Sequence, residues 1–377
     1  MITKDIILDI IEHAAETSIS IFLPTHKTGE EVQQDPIRLK NKLNNIEADL
    51  SESGMKKSEI DNLLEGPRKL LDQPLFWQHN DRGLALFLAE DYFEYFRVPL
   101  DFNPRYLIDN YFLVTPLLPM ITLEGTFCIL VISQKKVRLL KATRDSVEAL
   151  SLTDSPTSIE EFKQYDVVQR NLQHHSGQGQ GPAIFHGQGS GSDYDRKIVE
   201  EYLKTVETEV TNIMRRRNDP LILAGVDEAV SIYRKSNHYS RLLDSSIKGN
   251  PDPKSDEEIR DEGWEIIKSY FLKDMYSDIE RFGDLSGSMK RSEDLSYIVE
   301  GAYYGKIDSL FVPIGEHSWG KFDAVNDVVH LSHEQENGEH DLINLAAIKT
   351  ITQGGDVYAL HRDDMPNNAY IAAIFRY

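Results

Sequence analysis

Short apolar runs separated by polar and turn-forming residues recur along this chain, and they predict β-strands. Two of these runs, 127–132 and 137–141, flank a polar turn at Ser133–Lys136 and predict a hairpin. The run 221–225 is apolar throughout and predicts a buried strand. The further predicted strands are 19–23, 84–89, 92–98, 147–152, 309–313, 357–360 and 371–377.

A second pattern, with apolar residues three or four positions apart, predicts helices. Its strongest example starts at Ser192 or Asp193, either of which can cap a helix, and ends near Met214. One buried stripe is predicted on it, formed by Ile198, Tyr202, Val206, Val210 and Ile213 or Met214. Further helices are predicted over 1–12, 36–71, 255–280, 294–304 and 341–353.

The alternation of strands and helices predicts an α/β fold, with an α+β arrangement in the N-terminal part. The length of 377 residues suits two or three domains. Gly249–Pro253 contains two prolines and a glycine, which interrupt regular elements and predict a linker. We therefore predict three domains, at 1–110, 111–248 and 249–377.

The formal net charge of −21 excludes a basic footprint for nucleic acid over the whole chain. The charge is uneven, however: residues 1–110 carry a net −8, residues 111–250 carry 0, and residues 251–377 carry −13. The neutral middle third contains two basic clusters, formed by Lys135, Lys136, Arg138, Lys141 and Arg144, and by Arg215, Arg216 and Arg217. These clusters are either phosphate contacts or a solvated strand face and a helix end that favours cations.

The single cysteine, Cys128, lies inside an apolar run, so an intrachain disulfide is impossible and a thiolate metal site is not expected. The first residues do not have the pattern of a signal peptide, and no apolar run reaches the length of a membrane span. The sequence predicts a soluble cytoplasmic protein with no metal, no cofactor and no membrane partner.

The segment 171–192 reads NLQHHSGQGQGPAIFHGQGSGS and has no formal charge, six glycines, four glutamines and three histidines. A flexible linker is one interpretation. A functional loop is favoured over it, because the segment lies inside a domain, between a strand and a capped helix. A phosphate-binding motif is not present, and the spacing of His174, His175 and His186 gives no fixed metal geometry.

The other histidines give weaker signals. His317, His330, His333 and His340 alternate with glutamates, and this pattern predicts a solvated loop. His26 and Asp35 follow the first strand, but without a nucleophile beside them a structural role is favoured over a catalytic one.

The order of features in the middle third resembles the central domain of archaeal and eukaryotic class-1 release factors and of Pelota. The features are FLVTPLL at 112–118, the hairpin at 127–141, the Gly/Gln segment, the helix at 195–214 and LILAG at 221–225. The C-terminal third, with IVEGAYYGKIDSLFV at 298–312 and IAAIFRY at 371–377, is similar to the third domain of these proteins. The first third, with FLPTH at 22–26 and QDPIRLK at 34–40, resembles their bacterial branch, the bacterial archaeo-eukaryotic release factor family.

The resemblance implies a three-domain architecture like that of release factors and Pelota, with an RNase H-like central domain and a kink-turn-protein-like C-terminal domain. It implies a ribosome-associated factor that enters the A site and whose Gly/Gln segment reaches toward the peptidyl transferase centre. Pelota rescues stalled ribosomes without hydrolysis, and the related bacterial protein Balon acts in hibernation. The implied partners are the ribosome, with its rRNA and tRNA, and a translational GTPase such as EF-Tu.

Release factors carry a Gly-Gly-Gln tip that promotes hydrolysis of peptidyl-tRNA, and Gly-Gly-Gln is not present in this chain. The nearest matches make Gln178, Gln180 and Gln188 the candidate catalytic residues. The candidate tRNA contacts are His174, His175, Gly177, Gly179, Gly181, His186, Gly187 and Gly189. The candidate RNA-binding residues are Lys135, Lys136, Arg138, Arg215, Arg216 and Arg217.

Three functions remain open at this stage. The first is a rescue or hibernation factor, which would not be an enzyme. The second is a release factor that hydrolyses peptidyl-tRNA. The third is a stress-related protein-binding module without ribosome contact.

Overall fold

The computed structural model describes residues 2–122, 125–133, 135–153, 155–156, 158–164, 191–332 and 339–377. The chain divides into two compact units. The first, which we call the outer unit, consists of Met1–Leu123 together with Lys273–Tyr377, and the second, the central unit, is Glu124–Leu272. The boundaries at 110/111 and 248/249 stay a prediction.

Sixteen strands and twelve helices are described. The strands are β1 (Ser18–Pro24), β2 (Gly83–Ala89), β3 (Tyr92–Val98), β4 (Arg105–Asp109), β5 (Phe127–Ile132), β6 (Val137–Ala142), β7 (Val147–Leu150), β8 (Leu221–Gly225), β9 (Leu242–Lys248), β10 (Arg291–Ser292), β11 (Ile307–Pro313), β12 (Trp319–Asp323), β13 (Val328–Ser332), β14 (His340–Asp341), β15 (Asp356–Leu360) and β16 (Ala372–Phe375). The helices are α1 (Lys4–Glu12), α2 (Asp35–Glu52), α3 (Lys57–Leu71), α4 (Pro74–Trp77), α5 (Leu118–Thr122), α6 (159–164), α7 (Gly191–Arg217), α8 (Asp227–Ser236), α9 (Asp256–Phe271), α10 (Lys273–Asp284), α11 (Leu295–Tyr303) and α12 (Leu342–Thr352). Short 3-10 helices lie at Glu30–Gln33, Thr115–Leu117, Arg362–Asp364 and Pro366–Asn368.

The outer unit is built on two larger sheets and one small one. The antiparallel sheet β3-β2-β1-β4 comes from the N-terminal part, and the sheet β10-β16-β11-β15 comes from the C-terminal part. The small sheet β13-β12-β14 is inserted between β11 and α12. Because strand residues alternate between faces, Ile19 and Ile21 pack against α2 and α3, whereas Phe22 faces a core that it shares with residues of α11, α12 and β16.

The central unit contains one mixed sheet with the order β7-β6-β5-β8-β9. Strands β5, β8 and β9 are parallel, and β6 and β7 are antiparallel additions at one side. Helices α7 and α8 cover one face, on which Cys128 and Leu130 lie, and α9 covers the other face, on which Phe127 and Ile129 lie. Burial of both faces explains why β5 is an unbroken apolar run.

The mixed α/β fold predicted from the sequence is confirmed. The predicted hairpin is β5–β6, and the predicted stripe on α7 is buried from Ile198 to Met214. The helices predicted over 36–71 and 255–280 are instead two helices each, α2 with α3 and α9 with α10. Within the described part of the chain, no helix is long and apolar enough to cross a membrane.

Candidate nucleic-acid interface

The two ends of the central sheet carry different parts of the predicted site. The parallel strands β5 and β8 start side by side at Cys128 and Leu221 and end side by side at Ile132 and Gly225. We call the end where they stop the carboxyl edge and the end where they start the amino edge. At about 3.3 Å per residue, a strand of six residues separates the two edges by about 20 Å.

Lys135 and Lys136 lie at the carboxyl edge, on the turn between β5 and β6. The Ser133 hydroxyl accepts from the backbone N–H of Lys135 at 3.2 Å and of Lys136 at 3.0 Å, and it lies 3.0 Å from the Lys136 carbonyl oxygen, to which it donates. Both lysine side chains are exposed, and no described carboxylate is in an ion pair with either of them. This turn therefore presents two unpaired cations to solvent.

Arg138, the third predicted cation of this group, is in an ion pair. Its guanidinium Nη1 donates to the Asp256 carboxylate at 2.6 Å, and both side chains are largely covered. Asp256 is the first residue of α9, so the ion pair ties β6 to that helix. The charge of Arg138 is largely neutralised by this partner, which makes it a poorer phosphate ligand than the two lysines.

Arg215, Arg216 and Arg217 lie at the amino edge, because α7 ends there before the chain enters β8. Arg217 donates to Asp219 at 3.0 Å, whereas Arg215 and Arg216 are exposed and have no ion-pair partner in the described part of the chain. Three cations in the last turn also suit the negative end of the helix dipole. The predicted basic residues therefore form two groups at opposite edges of the sheet rather than one patch.

A groove of about 970 Å³ runs along α7 toward Arg215 and Arg216. Its α7 side includes Lys204, Thr208 and Asn212, which lie on one helix face together with the two arginines. From Lys204 to Arg216 the helix rises about 18 Å. This face is not among the predicted site residues, although its polar residues at spacings of three and four could have indicated it.

Polar residues also surround the buried thiol of Cys128 at the amino edge. Burial, with a smaller contribution from Asp219, raises the pKa of the Cys128 thiol to about 11, although Arg217 and Lys141 act to lower it. Lys141 is 2.8 Å from Glu148, and this hydrogen bond lowers the pKa of the Glu148 carboxyl. Arg217 and Lys141 thus have carboxylate partners, whereas Arg215 and Arg216 face solvent.

The Gly/Gln segment follows α6 and ends at the start of α7. Residues 165–190 lie outside the described residues, and with them the candidate residues Gln178, Gln180, Gln188, His174, His175, Gly177, Gly179, Gly181, His186, Gly187 and Gly189. The described anchor is α7, whose 27 residues rise about 40 Å. Because α7 ends at the amino edge, it starts on the side of the carboxyl edge. Seven residues of α7 precede Ile198, which is the first buried residue of the apolar stripe.

Two histidines of the outer unit contact buried carboxylates, which their sequence pattern does not indicate. His317 Nδ1 is 2.6 Å from the carboxylate of Asp341, and His340 Nδ1 is 2.7 Å from that of Asp109; both carboxylates are buried. The prediction of a solvated loop is therefore wrong for these two residues, while His330 is exposed and His333 lies outside the described residues. Burial between strands, which a local pattern does not encode, explains the difference.

Comparison with known proteins identifies the central segment. Residues 127–269 match the model of bacterial archaeo-eukaryotic release factor family 7. The predicted resemblance is confirmed for this segment. It spans β5 to α9 and includes both basic groups and the whole Gly/Gln segment. No curated protein matches the chain.

Solved structures of translation factors are also similar over much of the chain. The archaeal translation termination factor aRF1 is 13% identical, with 100% of this chain and 99% of that chain covered and a TM-score of 0.24. Dom34 of S. cerevisiae, described as a translation termination-like factor, is 11% identical, with 78% and 73% covered and a TM-score of 0.35. An archaeal Pelota from a ribosome-bound model is 13% identical, with 66% and 61% covered and a TM-score of 0.34. At these TM-scores the likenesses carry no argument.

Proposed function

We propose that the protein is a ribosome-associated factor of the release-factor type that enters the A site in rescue or hibernation. The observation that carries the proposal is the family match over 127–269, the segment that contains the uncharged Gly/Gln sequence between α6 and α7. An uncharged, glycine-rich chain can approach RNA closely, and its glutamines offer both donors and acceptors. In this proposal the segment reaches toward the peptidyl transferase centre.

The unpaired cations supply the phosphate contacts in this proposal. Lys135 and Lys136 lie at the edge of the sheet near which α7 starts, so they contact RNA next to the Gly/Gln segment. Arg215 and Arg216 lie at the opposite edge and contact a second stretch of backbone along the α7 groove. The outer unit carries 21 basic and 38 acidic residues, which favours a protein partner, such as the GTPase EF-Tu, over RNA for that part.

Cosedimentation with ribosomes at two or more salt concentrations tests the proposal. We expect binding at low salt that weakens as salt rises, because phosphate contacts release counterions. The double variant Lys135→Ser/Lys136→Ser should bind more weakly and lower the slope of log K against log salt by about 1 for each lysine. Lys56→Ser/Lys57→Ser, which removes the same charge from the N-terminal part, is the matched control and should bind like the wild type.

Two outcomes would overturn the proposal. One is a lack of ribosome binding at low salt both with and without EF-Tu·GTP. The other is an equal loss in the two double variants, which would indicate a general charge effect. A peptide-release assay on ribosomes loaded with peptidyl-tRNA distinguishes a hydrolysing factor from one that rescues ribosomes without hydrolysis. If the protein hydrolyses peptidyl-tRNA, the peptide is released, and this release is lost in Gln178→Ala, Gln180→Ala or Gln188→Ala.

A further inference from the structure

The small sheet of the outer unit has a strand with a free outer edge, and the proposed function does not use it. In the order β13-β12-β14, strand β13 pairs with β12 on one side only. Within the described part of the chain, no backbone group of residues 328–332 forms a hydrogen bond with a residue outside β12. The backbone N–H and C=O groups on the outer side of β13 are therefore available to a further strand.

The sequence of β13 lacks the residues that normally protect a sheet edge. Charged side chains and proline on an edge strand prevent it from pairing with another chain. Eight strands lie at sheet edges in the described part of the chain, and seven of them contain at least one charged residue: β3, β4, β7, β9, β10, β14 and β15. Strand β13, with the sequence VVHLS, has no lysine, arginine, aspartate, glutamate or proline. It is therefore the edge strand in these sheets that is best suited to accept a partner.

Apolar side chains on both faces of β13 are exposed to solvent. Val328 is 42% exposed and Leu331 is 59% exposed. Because strand residues alternate between faces, Leu331 lies on the same face as Val329, which packs against the core of the outer unit. Its neighbour on β12 is Gly320, which has no side chain to cover it. A strand added beside β13 would place a side chain next to Leu331 and bury it.

Both ends of β13 are acidic, which decides between the possible partners. Asp327 directly precedes the strand and is exposed, and at the other end the Ser332 hydroxyl donates to the Glu339 carboxylate. Residues 319–341 contain six carboxylates and one lysine, Lys321. A second copy of the chain would bring the same acids to this edge, and each copy has a net charge of −21, so charge disfavours self-pairing. Charge complementarity favours a partner segment with basic residues at its ends.

We propose that the outer edge of β13 binds an extended segment of a protein partner, which joins the small sheet as a further strand. The segment has an apolar middle as long as β13, five residues, and lysine or arginine at both ends. Backbone hydrogen bonds hold the segment, its alternate side chains cover Leu331 and Val328, and its basic ends meet Asp327 and Glu339. The proposal does not depend on ribosome binding.

Titration of the full-length protein into fluorescently labelled synthetic peptides, followed by anisotropy, tests the partner class. The first peptide, KKVTVTVKK, has basic ends and a strand-forming middle. The second, EEVTVTVEE, has the same middle with acidic ends, and the third is KKVTVTVKK with N-methyl groups on its five middle residues. We expect the first peptide to bind at least about tenfold more tightly than the other two, because acidic ends are repelled and N-methylation removes the strand donors.

Two lysine variants and hydrogen exchange test the location. Leu331→Lys places a cation on β13 and should weaken binding of KKVTVTVKK by at least about tenfold. Val325→Lys is the matched control, because Val325 is 90% exposed in the turn before β13 and its replacement changes the charge by the same amount. This variant should bind like the wild type, and thermal unfolding confirms that both variants are folded. In the wild-type complex, amide hydrogen exchange should slow at residues 328–332.

Several outcomes overturn the proposal. They are equal binding of the three peptides, no binding of KKVTVTVKK, equal losses in the two lysine variants, and unchanged exchange at residues 328–332. Sedimentation velocity tests the other occupant: a dimer that is lost in Leu331→Lys but not in Val325→Lys assigns the edge to a second copy and also overturns the proposal. Ribosome cosedimentation of Leu331→Lys at wild-type level, alongside any of these failures, leaves the proposed function standing.

Discussion

Two carboxylates at the same distance from one guanidinium contribute very differently to stability, because one is buried and the other is exposed. Asp35, whose side chain is fully buried, accepts from the backbone N–H of His26 at 2.9 Å and from Arg38 at 2.7 Å. It also lies 3.0 Å from His26 Nδ1. Glu31 accepts from the same Arg38 at 2.7 Å, but its side chain is 60% exposed. Asp35 therefore joins the end of β1 to the start of α2, and Glu31 adds a solvated contact.

Replacement of the buried carboxylate should destabilise the protein far more than replacement of the exposed one. Asp35→Ala leaves the His26 N–H and part of the Arg38 charge without a partner, and we expect the free energy of unfolding to fall by about 2–4 kcal/mol. Glu31→Ala is the matched control and should leave the urea midpoint unchanged within error. Equal midpoints for the two variants would show that Asp35 does not hold this junction.

The thiol of Cys128 makes stability depend on pH in the alkaline range. Burial raises the pKa of this group from its usual value near 9 to about 11. Between these values the unfolded chain loses the thiol proton while the folded chain keeps it, so rising pH favours the unfolded state. The free energy of unfolding should therefore fall relative to that of Cys128→Ala by up to about 1.4 kcal/mol per pH unit from pH 9 to 11. Parallel curves for the two proteins in urea titrations over this range would contradict the assignment.

For single residues, the sequence predicted which side chains are buried but not which side chains they contact. The apolar run around Cys128 indicated that the thiol is inside, and it is. The sequence pattern predicted His317 and His340 to be solvated, because it does not show that each contacts a buried carboxylate. For His340 this carboxylate belongs to Asp109, on a strand far away in the sequence. Patterns along the chain report the solvent exposure of a face, whereas an ion pair depends on which strands become neighbours.

Whole elements were predictable where periodicity was strong and local. The hairpin β5–β6 and the buried strand β8 lie at the predicted positions, because β5 and β8 are continuously apolar and a polar turn separates β5 from β6. Strand β9, LLDSSIK, was missed because its sequence has low strand propensity and its pairing with β8 forms it. The helix predicted over 255–280 ends at Phe271 because the chain leaves the central unit there, a change that periodicity does not report.

The contact between α9 and the central sheet depends on a glycine. A Cβ at Gly263 would lie 2.8 Å from Cδ1 of Ile129 and 3.1 Å from Cε2 of Phe127, both in the core. We expect Gly263→Val to lower the free energy of unfolding by about 1–3 kcal/mol through overpacking. Gly283, in the last turn of α10, has open space at the same position, so Gly283→Ala should raise it by about 0.5 kcal/mol through helix propensity. Urea unfolding measures the free energy of unfolding of both variants. If both variants are destabilised, the glycines are required for their backbone conformation and not because a side chain would clash.

Across the whole molecule, the net charges of the two structural units differ from the net charges of the three sequence segments. The central unit holds 20 basic and 24 acidic residues, so its net charge is −4, whereas the outer unit has −17. The neutral middle third becomes slightly acidic because α9, with six acidic residues, belongs to the central unit. RNA contact by this unit therefore depends on the local cations at its two edges rather than on a general field.

The two compact units lead to a prediction about which fragments fold. Residues 124–272 contain the complete five-stranded sheet and the helices on both faces, so we expect this fragment to unfold cooperatively in urea. The fragment 111–248 has the sheet but lacks α9, whose Ile259 and Ile267 are fully buried against Phe127 and Ile129. Loss of that layer exposes one whole face of the sheet, and the fragment should be aggregated or molten. Cooperative unfolding of 111–248 with the same midpoint as 124–272 would show that the central domain ends at residue 248 and that α9 only rests on it.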